Sequence, residues 1–411
     1  MEIPVFIRKR AEHLLMLTIA VMIFVAGFAL GTTNATSAAQ TSNELPADVE
    51  GAFDYFWQTF NFVRSEYIEE VDVQTLVEGA TNGMIEALDD QFSGYMTPES
   101  FDMINEELQG EIRGIGVSIR TNEDTGKVEV VGLLDGSPAI AVGILPGDIF
   151  VTVDGDEVAD MTQMELAQAV RGEEGTIVRI TMQRGDDLID FEIVRARIII
   201  PNVEYEIVDG DYAYLRLNQF SIEARRDMDA ALEAMEIENR RGLILDFRDN
   251  PGGLLSSAIE VASLLIDGGA VVVEDFGDGR EQTFNAVGNA LNLDIPVVLL
   301  VNPASASASE LVAGAWQDTG DATILGETTF GKGTVQTWHP LVNGGGLRLT
   351  IARWLTPERR WIHDQGVVPD IIVEWERTDF SADAADPQLD AAIRHLDGVL
   401  VENAAAVEPA N

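Results

Sequence analysis

The spacing of apolar residues divides the chain into segments of different texture. Between residues 49 and 109 apolar side chains recur at helical spacing, which predicts a small helical domain. From residue 110 to 197 the pattern changes to short β-rich runs separated by glycines, of which 114–117 is the first. Two short helical stretches interrupt these runs. This second pattern predicts a compact, partly open β-barrel. Its predicted strands are 128–133, 149–153, 178–182 and 189–194, and its predicted helices are 137–142 and 161–170.

Strand and helix patterns alternate from residue 212 onward, which is typical of an α/β layer structure with a mostly parallel sheet. The predicted strands are 213–220, 242–247 and 296–301, and the predicted helices are 224–239, 254–266 and 307–318. Later β runs at 334–339 and 347–354 predict an added antiparallel part, and 388–400 a short terminal helix. The expected fold class is therefore multidomain α/β with a mixed sheet.

The N-terminus carries a targeting pattern. Arg8, Lys9 and Arg10 precede an apolar run over residues 14–30, and small residues follow it. The run is short for a bilayer span, which needs ~20 residues, so a cleaved signal peptide and a retained membrane anchor are both compatible with it. Basic residues before such a segment stay in the cytoplasm. We expect the rest of the chain to be extracytoplasmic, periplasmic or at the cell surface, and either membrane-anchored or secreted.

These patterns together predict six segments. They are a signal peptide or signal anchor (1–31), a linker (32–48), a helical domain (49–109), a β-barrel domain (110–197), an α/β core (198–380) and a C-terminal helix with its tail (381–411).

Composition excludes several classes of function. The chain has 411 residues with 26 Lys and Arg against 70 Asp and Glu, a net charge of −44 that repels nucleic acid and anionic lipid headgroups. It has no cysteine, which excludes disulfides, thiolate zinc sites and a cysteine nucleophile. No His, Asp or Glu cluster has metal-ligand spacing. We therefore expect no metal and no cofactor.

Ser307 is the candidate nucleophile. It follows the apolar run 296–301 and a stretch of small residues, and it precedes a helical pattern. Open α/β sheets bind ligands at the carboxyl ends of their strands, and free N–H groups at a helix start can stabilise an oxyanion. Ser307 and Glu310 also fit a helix capping box, so helix capping is the alternative interpretation.

Lys332 is the candidate general base. Lysine occurs only at Lys9, Lys127 and Lys332, and Lys332 lies between two glycines just before a β run. A buried lysine can lose its proton near neutral pH, whereas arginine cannot. A phosphate-binding lysine or an ordinary loop lysine are the alternatives.

Two other motifs bear on catalysis. Gly252 and Gly253 in the turn 249–254 could bring backbone N–H groups close to a substrate, although an ordinary strand–helix turn would look the same. His363 and Asp364 form the only pair that suggests a Ser-His-Asp arrangement, which leaves a histidine-based serine hydrolase as a further alternative.

The segments 305–310 and 326–336 resemble the carboxyl-terminal processing proteases, also called tail-specific proteases. The resemblance extends over roughly residues 50–400 and includes 83–90, 114–117, 246–254, 354–357 and 366–370. One departure is Asp249, which stands before Asn250 where many members have a small residue.

The resemblance implies a role for each site residue. Ser307 would be the nucleophile, Lys332 the general base and Gln336 the residue that orients the lysine. The backbone N–H groups of Gly253 and Ala308 would form the oxyanion hole.

The resemblance also implies a PDZ domain that binds peptides. The loop Gly114, Ile115, Gly116 and Val117 is similar to a carboxylate-binding loop, beside which a peptide adds a strand to the sheet edge. Arg171 matches the position at which family members couple this domain to the active site.

The predicted function is that of a serine endopeptidase that recognises the C-terminal tails of its substrates and cleaves them through an acyl-enzyme. The expected partners are protein or peptide substrates with apolar C-termini, and the membrane through the N-terminal segment. No nucleic acid is expected, and a homo-oligomer is left open. The alternative is a non-catalytic, membrane-anchored PDZ scaffold.

Overall fold

The computed structural model describes residues 51–108, 110–122, 125–134, 136–159, 161–199, 201–375 and 385–407. The predicted membrane segment, residues 14–30, lies outside these ranges. Within them, no helix combines the length and the apolar character that crossing a bilayer requires.

Backbone contacts divide the chain into two units, 1–80 and 81–411. The described part of the first unit contains helix α1 (Asp54–Glu66) and the start of α2 (Val73–Glu86). Helix α1 presents a row of aromatic rings in edge contact, in which Trp57 lies between Phe56 and Phe60. The helices predicted from the apolar spacing are therefore present.

The second unit contains the end of α2, followed by strand β1 (Gly94–Met96) and helix α3 (Pro98–Leu108). Next comes a β-rich module whose main sheet has strand order β3-β4-β5-β7-β8, with β6 paired to β5. Its strands are β2 (Glu111–Gly114), β3 (Val117–Thr121), β4 (Val128–Leu133), β5 (Ile149–Val153), β6 (Asp156–Glu157), β7 (Ile177–Arg184), β8 (Asp187–Val194) and β9 (Ala196–Ile199). Its helices are α4 (Pro138–Val142) and α5 (Gln163–Val170).

Residues 114–117 do not form one strand, because the chain bends between the end of β2 and the start of β3. Gly116 has φ +77, and a Cβ built on it would lie 2.4 Å from the Ser137 side chain. Strand β3 forms the free edge of the sheet beyond this bend, since β4 is its only partner among the described strands.

The α/β core (198–380) contains a six-stranded sheet with strand order β10-β11-β12-β15-β16-β19. All neighbouring strands are parallel except β10 and β11. Strands β12 and β15 are buried along their whole length, as expected for a parallel sheet covered on both faces. The strands are β10 (Val203–Val208), β11 (Tyr212–Leu217), β12 (Leu243–Asp246), β15 (Val297–Val301), β16 (Thr323–Gly326) and β19 (Ile371–Ile372).

Helices cover both faces of this sheet. Leu245 and Leu299 pack on one face against α6 (Ala224–Ala234), α7 (Leu255–Ala262) and α8 (Ala308–Thr319). Ile244 and Val298 pack on the other face, which contacts α9 (Pro387–Val407). The predicted helix 224–239 is too long, because α6 ends at Ala234 and Glu236 adopts φ +53 before a single 3₁₀ turn. The predicted helices 254–266 and 388–400 also have different bounds.

A second, antiparallel sheet has strand order β1-β18-β13-β14, with β17 paired to β18. Strands β17 (Thr334–Pro340) and β18 (Gly346–Leu355) match the predicted antiparallel part. Strands β13 (Ala270–Asp275) and β14 (Glu281–Asn285) were not predicted.

A buried ion cluster ties α9 to the end of β12. The carboxylate of Asp246 accepts hydrogen bonds from the Arg248 guanidinium, which also donates to Asp386 and Gln388 at the start of α9. Asp246 is fully buried, and the neighbouring Arg248 holds its pKa below the ordinary value against the effect of burial. Removal of one partner would leave a buried charge uncompensated, at a cost of about 3–5 kcal/mol in the free energy of unfolding. The cluster therefore holds the loop that follows β12 in place.

Candidate active site

Ser307 lies at the entrance of α8, directly before Ala308, with φ 54 and ψ −110. These dihedrals are outside the regions that L-residues ordinarily adopt, and such strain persists only where neighbouring contacts enforce it. Two contacts do so here. The Ala306 N–H donates to the Asn250 carbonyl (3.1 Å), and the Ser307 N–H donates to Glu310 Oε2 (2.8 Å).

The three serines of this loop differ in what their hydroxyls do. Ser305 and Ser309 are fully buried, and their hydroxyls donate to the Phe247 carbonyl (2.8 Å) and the Asn250 carbonyl (2.9 Å). Ser307 is only half-buried, and its hydroxyl donates no hydrogen bond within the described part of the chain. Ser307 is therefore the serine of this group whose hydroxyl is available for chemistry.

The glycine turn after β12 packs directly against Ser307. A Cβ on Gly252, which has φ +102, would lie 2.7 Å from the Ala306 carbonyl oxygen and 2.8 Å from the Ala308 nitrogen. Only glycine fits this approach. The turn is held by Asn250, whose side chain bonds the Leu217 carbonyl and the Gly252 N–H. This role of Asn250 was not predicted from the sequence.

The N–H groups of Gly253 and Ala308 have no hydrogen-bond acceptor among the described residues. The Ala308 N–H belongs to the first turn of α8, where N–H groups lack intrahelical partners. These are the two donors that the family resemblance implies for an oxyanion hole, and both are free to donate.

Asp249, the departure from the family pattern, is accommodated by a local pair. Its backbone N–H donates to Asn302 Oδ1 (3.0 Å), and its carboxylate accepts from Asn302 Nδ2 (2.8 Å). Arg216 donates to the same carboxylate (3.1 Å). These bonds join the glycine turn to the loop that carries Ser307.

Glu310 links the serine loop to the lysine loop. Its buried carboxylate accepts hydrogen bonds from the Ser307 N–H (2.8 Å), the Lys332 N–H (2.9 Å), the Gly331 N–H (2.6 Å) and the Thr329 hydroxyl (2.6 Å). The capping box predicted from the sequence is present, with Ser307 and Glu310 as its two members. Its larger role, which the sequence did not reveal, is to hold both candidate catalytic residues by their backbones.

Lys332 is half-buried, with Nζ 5.3 Å from the centre of the Phe92 ring. Burial, assisted by the positive charge of Arg348, lowers the pKa of Lys332 from 10.5 to about 8, a shift that Glu310 and Asp90 oppose. A substantial neutral fraction of this amine is thus present near pH 8.

The side chains of Lys332 and Ser307 are not in hydrogen-bond contact in this structure. Between these two described residues there is no hydrogen bond of up to 3.5 Å, and none joins Lys332 to Gln336. Instead Gln336 Nε2 donates to the hydroxyls of Thr334 (2.9 Å) and Thr350 (3.2 Å). The expected contact between Gln336 and Lys332 is therefore absent from this arrangement.

His363 has different neighbours from those that a Ser-His-Asp arrangement requires. Its ring stacks on Trp361 at 5.1 Å, and its Nδ1 accepts the Gly333 N–H (3.3 Å). Asp364 is largely exposed and lies 3.9 Å from the other ring nitrogen.

The loop predicted to bind a carboxylate opens a groove between β3 and α5. The N–H groups of Ile115 and Gly116 have no acceptor in the described ranges. The groove has a volume of about 130 Å³ and includes Phe150, Leu166 and Val170 in its lining. Arg171 follows α5 and packs against the loop, since a Cβ on Gly114 would lie 3.6 Å from Arg171 Cγ. We call this cavity the tail groove.

Across the described residues, no group of three or more His, Asp or Glu side chains could hold a metal ion.

Comparison with known proteins gives three family matches. Residues 211–373 match peptidase family S41, residues 114–194 match the PDZ domain, and residues 16–100 match the N-terminal domain of the activating protease CtpB. These matches cover the α/β core, the module that contains the tail groove, and the N-terminal region.

Similar whole chains carry related names. A carboxy-terminal-processing protease of Bartonella bacilliformis is 36% identical over 364 residues, which is 86% of this chain and 82% of the relative. The carboxy-terminal processing protease CtpA of Bacillus subtilis is 34% identical over 79% of this chain and 70% of the relative. Among solved structures, a photosystem II D1 C-terminal processing protease superposes with a TM-score of 0.57 at 28% identity, covering 85% of this chain and 92% of that one.

The fold and the matches define a serine-type peptidase of family S41 that carries a PDZ domain. The chain belongs to the carboxy-terminal processing protease family. The predictions of a multidomain α/β fold and of a peptidase are confirmed, and the peptidase is supported over the non-catalytic scaffold.

Glu310→Gln tests the link between the two loops. The amide keeps the shape but loses the charge and one acceptor, so we expect peptide hydrolysis to slow by about 100-fold, the effect of a displacement of about 1 Å at a reacting group. The rate of Ser307 labelling by a fluorophosphonate should fall in parallel. Glu260→Gln, an exposed position on α7, is the matched control and should leave both rates unchanged. Equal rates in the two variants would contradict this role.

Proposed function

We propose that this chain binds the C-terminal tails of protein substrates in its PDZ domain and hydrolyses them with Ser307 and Lys332. The observation that carries the proposal is the shared carboxylate of Glu310, which holds the backbones of both residues. Around it lie a free hydroxyl, two free N–H groups and an amine of lowered pKa.

The proposed first step transfers a proton from Ser307 Oγ to the neutral amine of Lys332 while Oγ attacks the scissile carbonyl carbon. The carbonyl oxygen takes the negative charge and accepts hydrogen bonds from the Gly253 and Ala308 N–H groups. The protonated Lys332 then gives its proton to the leaving amine as the C–N bond breaks. An ester between Ser307 and the substrate remains.

The proposed second step is hydrolysis of that ester. Lys332 removes a proton from water, the hydroxide attacks the ester carbon, and the proton returns to Ser307 Oγ as the acyl group leaves. Lys332 Nζ must first leave the Phe92 ring and approach Ser307, a rotation of one long side chain. In this step Gln336 would hold the Lys332 amine beside Ser307. To do so, the Gln336 side chain must give up a hydrogen bond to a threonine hydroxyl and form one with Lys332.

Tail recognition is proposed for the groove between β3 and α5. An extended tail would add to the free edge of β3, with its terminal carboxylate at the Ile115 and Gly116 N–H groups. Arg171, adjoining this loop, supplies a positive charge on the same side.

We also propose that the chain is extracytoplasmic and is delivered there by the segment 1–31, as a cleaved signal peptide or a retained anchor. Support comes from the basic residues before the apolar run 14–30. N-terminal sequencing of protein purified from membrane and soluble fractions distinguishes the two forms, and a cytoplasmic location in fractionation would refute the proposal.

Three matched substitutions test the nucleophile. Ser307→Ala should reduce hydrolysis by about 10⁴-fold or more, as loss of a serine nucleophile does, with little change in thermal stability. Ser305→Ala and Ser309→Ala each remove one of two donors to a buried carbonyl, so each should lower the free energy of unfolding by about 0.5–1.5 kcal/mol but retain activity. The checks are peptide-cleavage kinetics and urea denaturation. Full activity in Ser307→Ala would exclude it as the nucleophile.

The pH dependence tests the base. Because the neutral amine is the active form, kcat/KM should rise with pH through about 8, the lowered pKa of Lys332. Lys332→Arg keeps the charge but cannot deprotonate, so activity should fall by about 10²–10⁴-fold across the pH range. Lys127→Arg, at an exposed lysine of the PDZ domain, is the control. Unchanged turnover in Lys332→Arg, with loss of activity in His363→Ala, would assign the base to histidine.

A further inference from the structure

The segment 90–93 lies beside Lys332. It leads from α2 into strand β1, which pairs antiparallel with β18. The Phe92 ring centre lies 5.3 Å from Lys332 Nζ and 5.9 Å from the centre of the His363 ring. The segment is outside residues 211–373, the part that matches peptidase family S41. A piece of chain from before the peptidase match thus contacts the candidate base.

The carboxylate of Asp90 holds this segment together. Its Oδ1 accepts the Phe92 N–H (3.0 Å), and its Oδ2 accepts the Ser93 hydroxyl (2.6 Å). Burial raises the pKa of Asp90, but hydrogen bonds from the Ser93 and Thr350 side chains bring it below the ordinary value. Asp90 is therefore ionised near neutral pH, and it fixes the backbone of the residue whose ring contacts Lys332.

A chain of hydrogen bonds runs from this carboxylate to Gln336. The Ser93 hydroxyl, which donates to Asp90, accepts the Thr350 N–H (3.0 Å). The Thr350 hydroxyl in turn accepts Gln336 Nε2 (3.2 Å). Thr350 and Gln336 are opposite each other in the ladder between β17 and β18, beside a register shift. Because the bond to Ser93 fixes the Thr350 backbone, it also fixes one of the two threonine hydroxyls that hold Gln336.

Besides burial, charged groups from three elements act on the Lys332 amine. Asp90 and Glu310 of α8 favour the ammonium ion, whereas Arg348 of β18 favours the neutral amine. Asp90 and Arg348 also attract each other. His363 adjoins the same segment, and its Nδ1 accepts the backbone N–H of the residue after Lys332. The charge of Asp90 therefore acts on the protonation of Lys332 in the opposite direction to the charge of Arg348.

We infer that Asp90 is a positioning residue for Lys332 and Gln336. It fixes Thr350 through Ser93, and Thr350 sets the place from which Gln336 reaches toward the amine. Its negative charge also sets the pH at which that amine loses its proton. The inference rests on the roles proposed above for Lys332 and Gln336, and it adds a residue from outside the peptidase match to them.

Asp90→Asn tests both effects, because it keeps the shape but removes the charge and one acceptor. Above the midpoint of the pH profile, kcat/KM for peptide cleavage should fall by about tenfold, the effect of losing one hydrogen bond to a charged group. The midpoint should move to lower pH by about 0.5 pH units, because a charge that favours the ammonium ion is lost. Asp89→Asn is the matched control. Asp89 is exposed, and asparagine tolerates its φ of 50, so rate and midpoint should both stay as in the parent.

Two further variants separate positioning from an effect on folding. Ser93→Ala breaks the chain of hydrogen bonds without changing the charge, so the rate should fall by a similar factor while the midpoint stays in place. In a Gln336→Ala background, Asp90→Asn should cost less than about twofold in rate, since the two residues act through one network. The midpoint should still fall in that background.

The possible results distinguish the inference from the proposed function. An unchanged rate in Asp90→Asn, a midpoint that does not fall, or an equal rate loss with and without Gln336 would overturn the inference alone. Full activity in Gln336→Ala, or a parent profile that does not rise through about pH 8, would overturn the proposed roles of Gln336 and Lys332 themselves.

Discussion

One buried carboxylate organises the active site. Glu310 receives four hydrogen bonds, and the donors come from the serine loop on one side and from the lysine loop on the other. Hydrogen bonds to a carboxylate are about twice as strong as those between neutral groups. The two loops follow different strands, β15 and β16, and the carboxylate acts together with the bond from the Phe330 N–H to the Ser305 carbonyl (3.1 Å) to fix the distance between them. The strained backbone of Ser307 is maintained by the same carboxylate.

Around this carboxylate, the protein balances the charge of Lys332. Burial and Arg348 favour the neutral amine, whereas Glu310 and Asp90 favour the ammonium ion. The ammonium form of Lys332 is also stabilised by a cation–π contact with the face of the Phe92 ring. In a chain with a net charge of −44, a lysine on the open surface would stay protonated. Burial and the nearby positive charge of Arg348 lower the pKa of Lys332 enough for its amine to act as a base.

Much of the fold followed from the sequence because its periodicities were strong. The buried runs of β12 and β15 and the apolar spacing of α6 and α8 identified the α/β core. Strand β14 was missed because Glu281–Asn285 is largely polar and takes its structure from pairing with β13. For the site, the family motifs named Ser307 and Lys332. They did not reveal the four hydrogen bonds to Glu310, the bonds by which the Asn250 side chain holds the glycine turn, or the partners of Gln336. These features depend on contacts between segments that are distant in the sequence.

The buried ion cluster that joins Arg248 to the start of α9 has a consequence for helix α9. Arg248 follows the strand that leads into the glycine turn, and it is bonded to Asp386 and Gln388. Further along α9, Asp397 bonds Tyr212 and Arg241. These bonds lie at two points about ten residues apart, so helix α9 is held to the sheet both at its start and along its length, and the loop after β12 is braced by a segment far away in the sequence.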